Sequence, residues 1–208
     1  MNTHTENTRL LAAVMFIDIV GYTALMQEDE QQAIALRNRK RSVVEMQVTA
    51  FSGQIRQYYG DGALVTFQSA YQATLCARKI QEELNKAPIV PVRIGIHMGE
   101  IIVTSDGIYG DVVNVASRIE SLSFAGGILI SDKVEDELKN HPDLKSVFVG
   151  RFELRNVARP VEIYAVRGKS LTLSGGEVLR KWEKKASEIA LSQLIQPYIQ
   201  NINAGLIN

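Results

Sequence analysis

The sequence predicts an α+β domain with a mixed sheet. Leu10–Ile17 is a continuous apolar run typical of a buried strand, two alternating segments flank a Gly60-Asp61-Gly62 turn, and amphipathic helical segments separate these from later short strands. This order resembles a βαββαβ unit, the ferredoxin-like core, followed by an extra C-terminal lobe. We therefore expect flexible residues 1–8, a domain over 9–168, and a linker with a helical tail over 169–208.

The first half of the domain is delimited by polar and glycine breaks. The apolar run ends at Asp18, and the stretch from Thr23 to Ala50 carries helix formers with apolar residues three and four apart, which indicates one or two helices. Short alternating runs on either side of the Gly-Asp-Gly turn indicate a hairpin, and a helical segment follows. The expected elements are strands Gln54–Tyr59 and Ala63–Phe67 and helix Ala70–Leu84.

The second half follows a loop marked by two prolines. Two strands joined at Gly99-Glu100 are expected, then a helix with one apolar face, a short strand, a helix capped by Asp132, two closing strands and, after Ser174-Gly175-Gly176, a tail helix. In order, these elements are Val92–Met98, Ile101–Thr104, Asp111–Leu122, Ile128–Ile130, Asp132–Lys139, Val147–Phe152, Val161–Val166 and Glu177–Ile195.

Composition excludes several functions. The 208 residues are 46% hydrophobic and carry 23 basic and 23 acidic side chains, so the chain lacks the net positive charge typical of nucleic-acid binding, and we expect no such partner. The one cysteine, Cys76, lies in an apolar helical run, which favours a buried thiol in a reducing compartment. No run approaches the length of a membrane span, and we expect a cytoplasmic protein.

Two carboxylates stand at points where the predicted topology brings the chain together. Asp18 ends the first strand, and Asp61 lies at the hairpin tip. Taken singly, the first is more typical of a helix cap than of a ligand, and the second is more typical of an ordinary turn. In a βαββ unit, however, the first strand and the hairpin are neighbours, and facing carboxylates repel unless a cation lies between them. The carboxylate oxygens of Asp18 and Asp61 are ligands of the kind that Mg²⁺ or Mn²⁺ prefers.

A third polar feature lies on the predicted helix over 111–122. Asn114 and Arg118 are four residues apart and therefore share a helix face beside the apolar stripe. They are typical of a solvated edge, but an amide can also orient an oxygen, and a guanidinium can neutralise phosphoryl charge.

The chain resembles the class III nucleotidyl cyclase catalytic domain, also called the adenylate/guanylate cyclase domain. The resemblance covers about Leu10 to Val166 and is carried by five motifs in order. These are FIDIVGYT at 16–23, YGDG at 59–62, VRIGIHMG at 92–99, GDVVNVASR at 110–118 and FELRNV at 152–157.

The resemblance implies a fold, an activity and residue roles. Asp18 and Asp61, with the Ile19 carbonyl, would bind two Mg²⁺ or Mn²⁺ ions, and Asn114 with Arg118 would act on the transition state. The backbone amides of residues 21–23 and two arginines would hold the phosphates; these residues are Gly21, Tyr22, Thr23, Arg93 and Arg155. A nucleoside triphosphate would become a 3',5'-cyclic nucleotide and pyrophosphate, in a homodimer whose two sites each use both chains.

The residues expected to select the base depart from the family pattern. The two positions that usually read a purine correspond here to Gln57 and Gly107, with Asp106 adjacent and Tyr58 and Tyr59 beside Gln57. An amide can face several bases, and a tyrosine in the pocket would favour a pyrimidine. ATP is our first expectation, UTP or CTP the alternative, as in bacterial anti-phage pyrimidine cyclases, and an inactive nucleotide-binding module a further one.

Two other polar features receive structural interpretations. His97 follows an apolar strand residue and is expected to be a hydrogen-bonded sheet histidine, not a catalytic base. The basic run over 37–41 is expected to be a solvated helix face.

Overall fold

The computed structural model describes residues 8–167, and within them helices cover both faces of one mixed sheet. The strands are β1 Thr8–Ile19, β2 Gln54–Tyr59, β3 Gly62–Phe67, β4 Val92–Val103, β5 Ile108–Tyr109, β6 Ile128–Ser131, β7 Lys145–Phe152 and β8 Val161–Arg167. The helices are α1 Tyr22–Glu28, α2 Glu30–Ala50, α3 Ala70–Leu84, α4 Asp111–Leu122 and α5 Asp132–Leu138. The predicted α+β class is confirmed. The predicted tail helix lies outside the described residues.

The strand order is β2-β3-β1-β4-β6-β8-β7, with β5 paired to β4. The first four strands are antiparallel neighbours, as a βαββαβ unit requires, and β6 joins β4 in parallel. Among the helices of residues 8–167, none is both long and apolar enough to cross a membrane.

Strand β1 is central because its two faces pack against different helices. Met15 and Ile17 belong to a core that includes residues of α2 and α3, whereas Ala12 and Val14 pack with residues of α4. Side chains alternate along a strand, so a strand covered on both faces needs the continuous apolar run that the sequence contains.

Helix α4 approaches the sheet closely at Gly95. A Cβ atom built there would lie 2.1 Å from the backbone nitrogen of Glu120 and 2.8 Å from the carbonyl oxygen of Ala116. Only glycine fits this contact, which brings the C-terminal half of α4 against β4 and places Glu120 over the sheet.

The structure differs from the predicted elements at four points. β4 is one strand, because β1 pairs with it from Thr8 opposite Val103 to Ile19 opposite Val92, without a break at Gly99. Thr8 therefore belongs to a strand and not to the flexible segment. The two-residue β5 was not predicted, since it is too short for a period. Ser131, not Asp132, occupies the N-cap position of α5. The stretch after Thr23 forms two helices, α1 and α2, which meet at Asp29, and this is one of the two outcomes predicted for it.

Candidate active site

The two carboxylates of Asp18 and Asp61 meet at one edge of the sheet. Asp61 lies in the turn between β2 and β3, and its Oδ2 accepts a hydrogen bond of 3.2 Å from the amide of Ile19. Burial raises the pKa of Asp61, and Asp18 raises it further, both by its negative charge and as a hydrogen-bonding partner. The two carboxyl groups thus face each other, and Asp18 caps no helix, since the N-cap of α1 is Gly21.

Arg93 connects Asp18 to a third carboxylate. The strands place Arg93 opposite Asp18, and its Nη2 lies 2.9 Å from the Oδ2 of Asp18, while its Nε contacts Glu120 of α4. The side chains of Asp18 and Arg93 are 27% exposed, and that of Glu120 is 8% exposed. Burial raises the pKa of Glu120 to about 7, although the charge of Arg93 opposes this shift.

Lys40 of α2 contacts the Asp61 turn and the end of β1 from the other face of the sheet. Its ammonium group donates to the backbone carbonyl of Asp61 and, at 3.4 Å, to that of Ile17. The residue is 2% exposed, and burial lowers its pKa to about 8 against the raising effect of the nearby carboxylates. The expectation of a solvated basic face is therefore wrong at Lys40. Its place in the apolar stripe with Val44 and Val48, at intervals of four, is the sequence signal for its burial.

A cavity of about 320 Å³ opens beside the carboxylates on the α4 side. Its lining includes Asp18, Tyr59, Ser117 and Glu120. The hydroxyl of Tyr59 donates to Oε1 of Gln57 at 2.7 Å, so these two residues lie on the same face of β2.

Tyr58 lies on the opposite face of β2 from Tyr59. Its hydroxyl donates to Glu45 of α2 at 3.1 Å, and the guanidinium carbon of Arg41 lies 4.3 Å from its ring centroid. Tyr58 contributes instead to a second cavity, of about 160 Å³, that also contacts Lys40 and Asp61. Of the two tyrosines, therefore, Tyr59 is the one beside the larger cavity.

The β4–β5 connection carries Asp106 and Gly107. The carboxylate of Asp106 accepts hydrogen bonds from the hydroxyl of Thr104 and, at 2.7 Å, from that of Tyr109. These bonds lower the pKa of Asp106. A Cβ at Gly107 would meet open space.

The remaining predicted residues do not join Asp18 and Asp61 within one chain. Asn114 and Arg118 are exposed on α4, and neither lines the cavity that contains Asp18. Arg155 is exposed in the turn after β7. Because β4 and β6 are parallel and β8 is antiparallel to β6, this turn lies at the edge of the sheet opposite to Asp18.

The β1–α1 turn places a short run of backbone amides beside Asp18. Gly21 has φ 80°, a left-handed conformation that suits glycine, and it precedes the first residues of α1, Tyr22 and Thr23. The first amides of a helix have no carbonyl partner within the helix, so they are available to an anion or to solvent.

Comparisons with known proteins identify the family of the chain and its structural relatives. A family model described as the adenylate and guanylate cyclase catalytic domain matches residues 7–168. The chain belongs to this family. This cyclase domain is also similar to solved structures. One is described as an adenylate/guanylate cyclase/hydrolase from Silicibacter pomeroyi, with a TM-score of 0.73 and 28% sequence identity. The match covers 79% of this chain and 100% of that one. The adenylyl cyclase CyaB from P. aeruginosa has a TM-score of 0.69 and 27% identity and covers 81% and 100%.

Two relatives by sequence are named as adenylate cyclases. A putative adenylate cyclase 3 of Rhizobium meliloti is 37% identical over 164 residues, which are 75% of this cyclase chain and 28% of the relative. An adenylate cyclase of Glutamicibacter nicotianae is 28% identical over 174 residues, 81% of this chain and 40% of the relative. The chain therefore spans less than half of the length of these two relatives.

The donor set of the cyclase domain at Asp18 and Asp61 fits a divalent cation. Two facing carboxylates, one of them with a pKa raised by burial and by the charge of the other, are an arrangement that a cation would relieve. Within residues 8–167, no group of three or more His, Cys, Asp or Glu side chains could hold a metal ion. A cation at the pair would thus need further oxygen atoms, which backbone carbonyls and substrate phosphates supply.

Lys40 and Glu120 belong to the site without being among the predicted site residues, whereas the interpretations of His97 and Cys76 are confirmed. His97 is buried with its Nδ1 2.7 Å from the hydroxyl of Ser131, and burial lowers its pKa to about 4, which confirms a hydrogen-bonded sheet histidine. Cys76 is buried and free. Glu120 follows Ile119 at the margin of the apolar face of α4, and that adjacency is the sequence signal for its burial.

Proposed function

We propose that the chain is a nucleotidyl cyclase that converts ATP to 3',5'-cyclic AMP and pyrophosphate. The observation that carries this proposal is the facing pair Asp18 and Asp61 in a chain of the cyclase family. ATP is the first choice because the relatives in Rhizobium meliloti and Glutamicibacter nicotianae are named adenylate cyclases.

In the proposed reaction, the ribose 3'-hydroxyl gives its proton to water, its oxygen attacks the α-phosphorus, the bond to the bridging oxygen of the β-phosphate breaks, and pyrophosphate leaves. Asp18 and Asp61 would hold two Mg²⁺ or Mn²⁺ ions together with the Ile19 carbonyl. When bound, such ions lower the pKa of the 3'-hydroxyl and stabilise charge on the phosphates. The amides of residues 21–23 would bind the triphosphate, and Arg93 would neutralise its outer oxygens.

We propose further that the site is completed by a second copy of the chain. Asn114 and Arg118 are exposed and do not line the cavity of their own Asp18, and Arg155 lies at the opposite edge of the sheet. A head-to-tail homodimer would bring these residues of one chain to the carboxylates of the other and form two sites. There the amide would orient the ribose, and the guanidinium would neutralise charge at the reacting phosphate.

A pyrimidine triphosphate is the second candidate substrate, and the position of Tyr59 favours it. The Tyr59 ring lines the larger cavity and is hydrogen-bonded to Gln57, so it occupies space beside the residue that would read the base. Gln57, Asp106 and Gly107 remain the proposed base-selecting residues. Tyr58 faces α2, so Tyr59 is the tyrosine to test first.

The activity test incubates the purified chain with Mn²⁺ and each of the four nucleoside triphosphates and separates the products by mass. Asp61→Asn should abolish the cyclic product, whereas the control Asp136→Asn, at an exposed carboxylate paired with Lys139, should retain it. A cyclic pyrimidine as the main product would replace ATP by the second candidate. Absence of every cyclic product would leave the nucleotide-binding module as the function.

The dimer test combines two inactive chains. Asp61→Asn and Arg118→Ala chains are co-expressed with different tags and purified through both tags. Each mixed dimer then contains one intact site and one doubly altered site, so its activity should be about half that of the wild-type dimer. No activity in the mixed dimer would refute the shared site.

A further inference from the structure

Lys40 is a buried charge in an otherwise apolar stripe of α2. The other buried residues of this helix are Ala33, Val44 and Val48, so an apolar side chain at position 40 would continue the packing. A buried ammonium group is costly unless its hydrogen bonds are made, and burial does lower the pKa of Lys40 to about 8. Packing alone therefore does not explain a lysine here.

The bonds that compensate this burial both go to backbone next to the paired carboxylates. One acceptor is the carbonyl of Asp61 itself, and the other, at 3.4 Å, is the carbonyl of Ile17, the residue before Asp18. One ammonium group thus bridges the end of β1 and the hairpin tip. The two acceptor residues, Ile17 and Asp61, are 44 residues apart in sequence.

We propose that Lys40 is a positioning residue that holds the Asp61 turn against the end of β1 and so fixes the two carboxylates relative to each other. Lys40 does not touch substrate in this role, because it lies on the α2 side of the sheet while the larger cavity lies on the α4 side. The inference rests on the proposed metal role of Asp18 and Asp61.

The amide of Ile19 reports this docking without any metal or substrate. It donates to Oδ2 of Asp61 at 3.2 Å, so a turn that leaves β1 exposes it to exchange. Lys40→Met keeps the length of the aliphatic stem and removes the charge and the donors. In the full chain, we expect hydrogen exchange of the Ile19 amide to be about tenfold faster in Lys40→Met, the change expected for one lost hydrogen bond.

The metal readout is Mn²⁺ affinity, measured without nucleotide by the electron paramagnetic resonance signal of free Mn²⁺. Loss of a positioning group should weaken binding about tenfold or more. If Lys40 acted only as a nearby positive charge, its removal would instead strengthen Mn²⁺ binding, and this result would overturn the proposal.

Arg39→Met is the matched control. Arg39 is the neighbouring residue of α2 and also donates to backbone carbonyls, those of Glu83, Lys86 and Pro88, which are remote from the carboxylates. After correction for global stability, it should leave Ile19 exchange and Mn²⁺ affinity as in the wild type. Equal effects of both variants would mean general destabilisation and would overturn the proposal.

The outcomes separate this inference from the proposed function. If the wild type does not bind Mn²⁺, the proposed metal role of Asp18 and Asp61 fails, while faster Ile19 exchange in Lys40→Met would still support the bridge between the Asp61 turn and β1. If the wild type binds Mn²⁺ and Lys40→Met changes neither readout, only the inference fails. Should Lys40→Met not fold, Lys40→Gln, which is shorter and uncharged, must meet the same two expectations.

Discussion

Replacement of Glu120 by glutamine should change how stability depends on pH. Burial raises the pKa of Glu120 from 4.5 to about 7 in the folded chain, so the folded state holds this proton more tightly than the unfolded state does. The contribution of this proton to the free energy of unfolding is fully present below pH 4.5 and is lost as the pH rises through 7. Between pH 5 and pH 8, this loss amounts to about 2.5 kcal/mol when a shift of that size is integrated.

Glu120→Gln keeps an oxygen acceptor for Arg93 and removes the titration. Urea unfolding of both proteins at pH 5, 6, 7 and 8 gives the difference in unfolding free energy, which should move in favour of the variant by about 2.5 kcal/mol across this range. Contributions of His97 and Asp61 are common to both proteins and cancel in the difference, because the charge of Glu120 is not a cause of their pKa shifts.

Glu83→Gln is the surface control. Glu83 pairs with Lys86 at 2.6 Å, and this hydrogen bond lowers the pKa of Glu83, the opposite direction from Glu120. Its difference from the wild type should stay flat between pH 5 and pH 8, since Glu83 is ionised in both states there. Parallel curves for the wild type and Glu120→Gln would refute the assignment of a raised pKa to Glu120.

Three further outcomes test the packing. Gly95→Ala should destabilise the chain by about 3 kcal/mol or more, because its Cβ would overlap the backbone of Glu120; thermal unfolding measures this loss. Burial raises the pKa of Cys76 to about 12, so its thiol should react with a disulfide reagent only after unfolding; labelling of the native chain at the unfolded rate would contradict this. Ser131→Ala removes the hydrogen-bond partner of buried His97 and should cost about 1–3 kcal/mol in urea unfolding.

Local sequence patterns predicted the elements that position the site. Three elements follow from sequence patterns within a few residues and are present in the structure. They are the apolar strand β1, the Gly-Asp-Gly hairpin and the amphipathic helix α4. The approach of Asp18 and Asp61 followed from the strand order of a βαββ unit, in which the first strand and the hairpin are sheet neighbours. The class of fold and the pair of carboxylates were therefore accessible from sequence.

Side-chain partners between distant segments required the tertiary structure. The basic run of α2 predicts a solvated face, and although Lys40 lies four residues before Val44, only the packing of α2 against the hairpin decides that Lys40 turns inward. Likewise, side chains alternate between the two faces of a strand, which predicts that Tyr58 and Tyr59 lie on opposite faces of β2. Only the packed sheet decides which of the two faces lines the larger cavity.

The sequence by itself determined the location of most helices and strands, since these depend on neighbours along the chain. The tertiary structure decided the ionic contacts of Arg93 with Asp18 and Glu120 and the burial of Lys40. Such contacts join residues far apart in sequence, and their energies depend on how the packed elements exclude water from them, which is decided only when the elements come together.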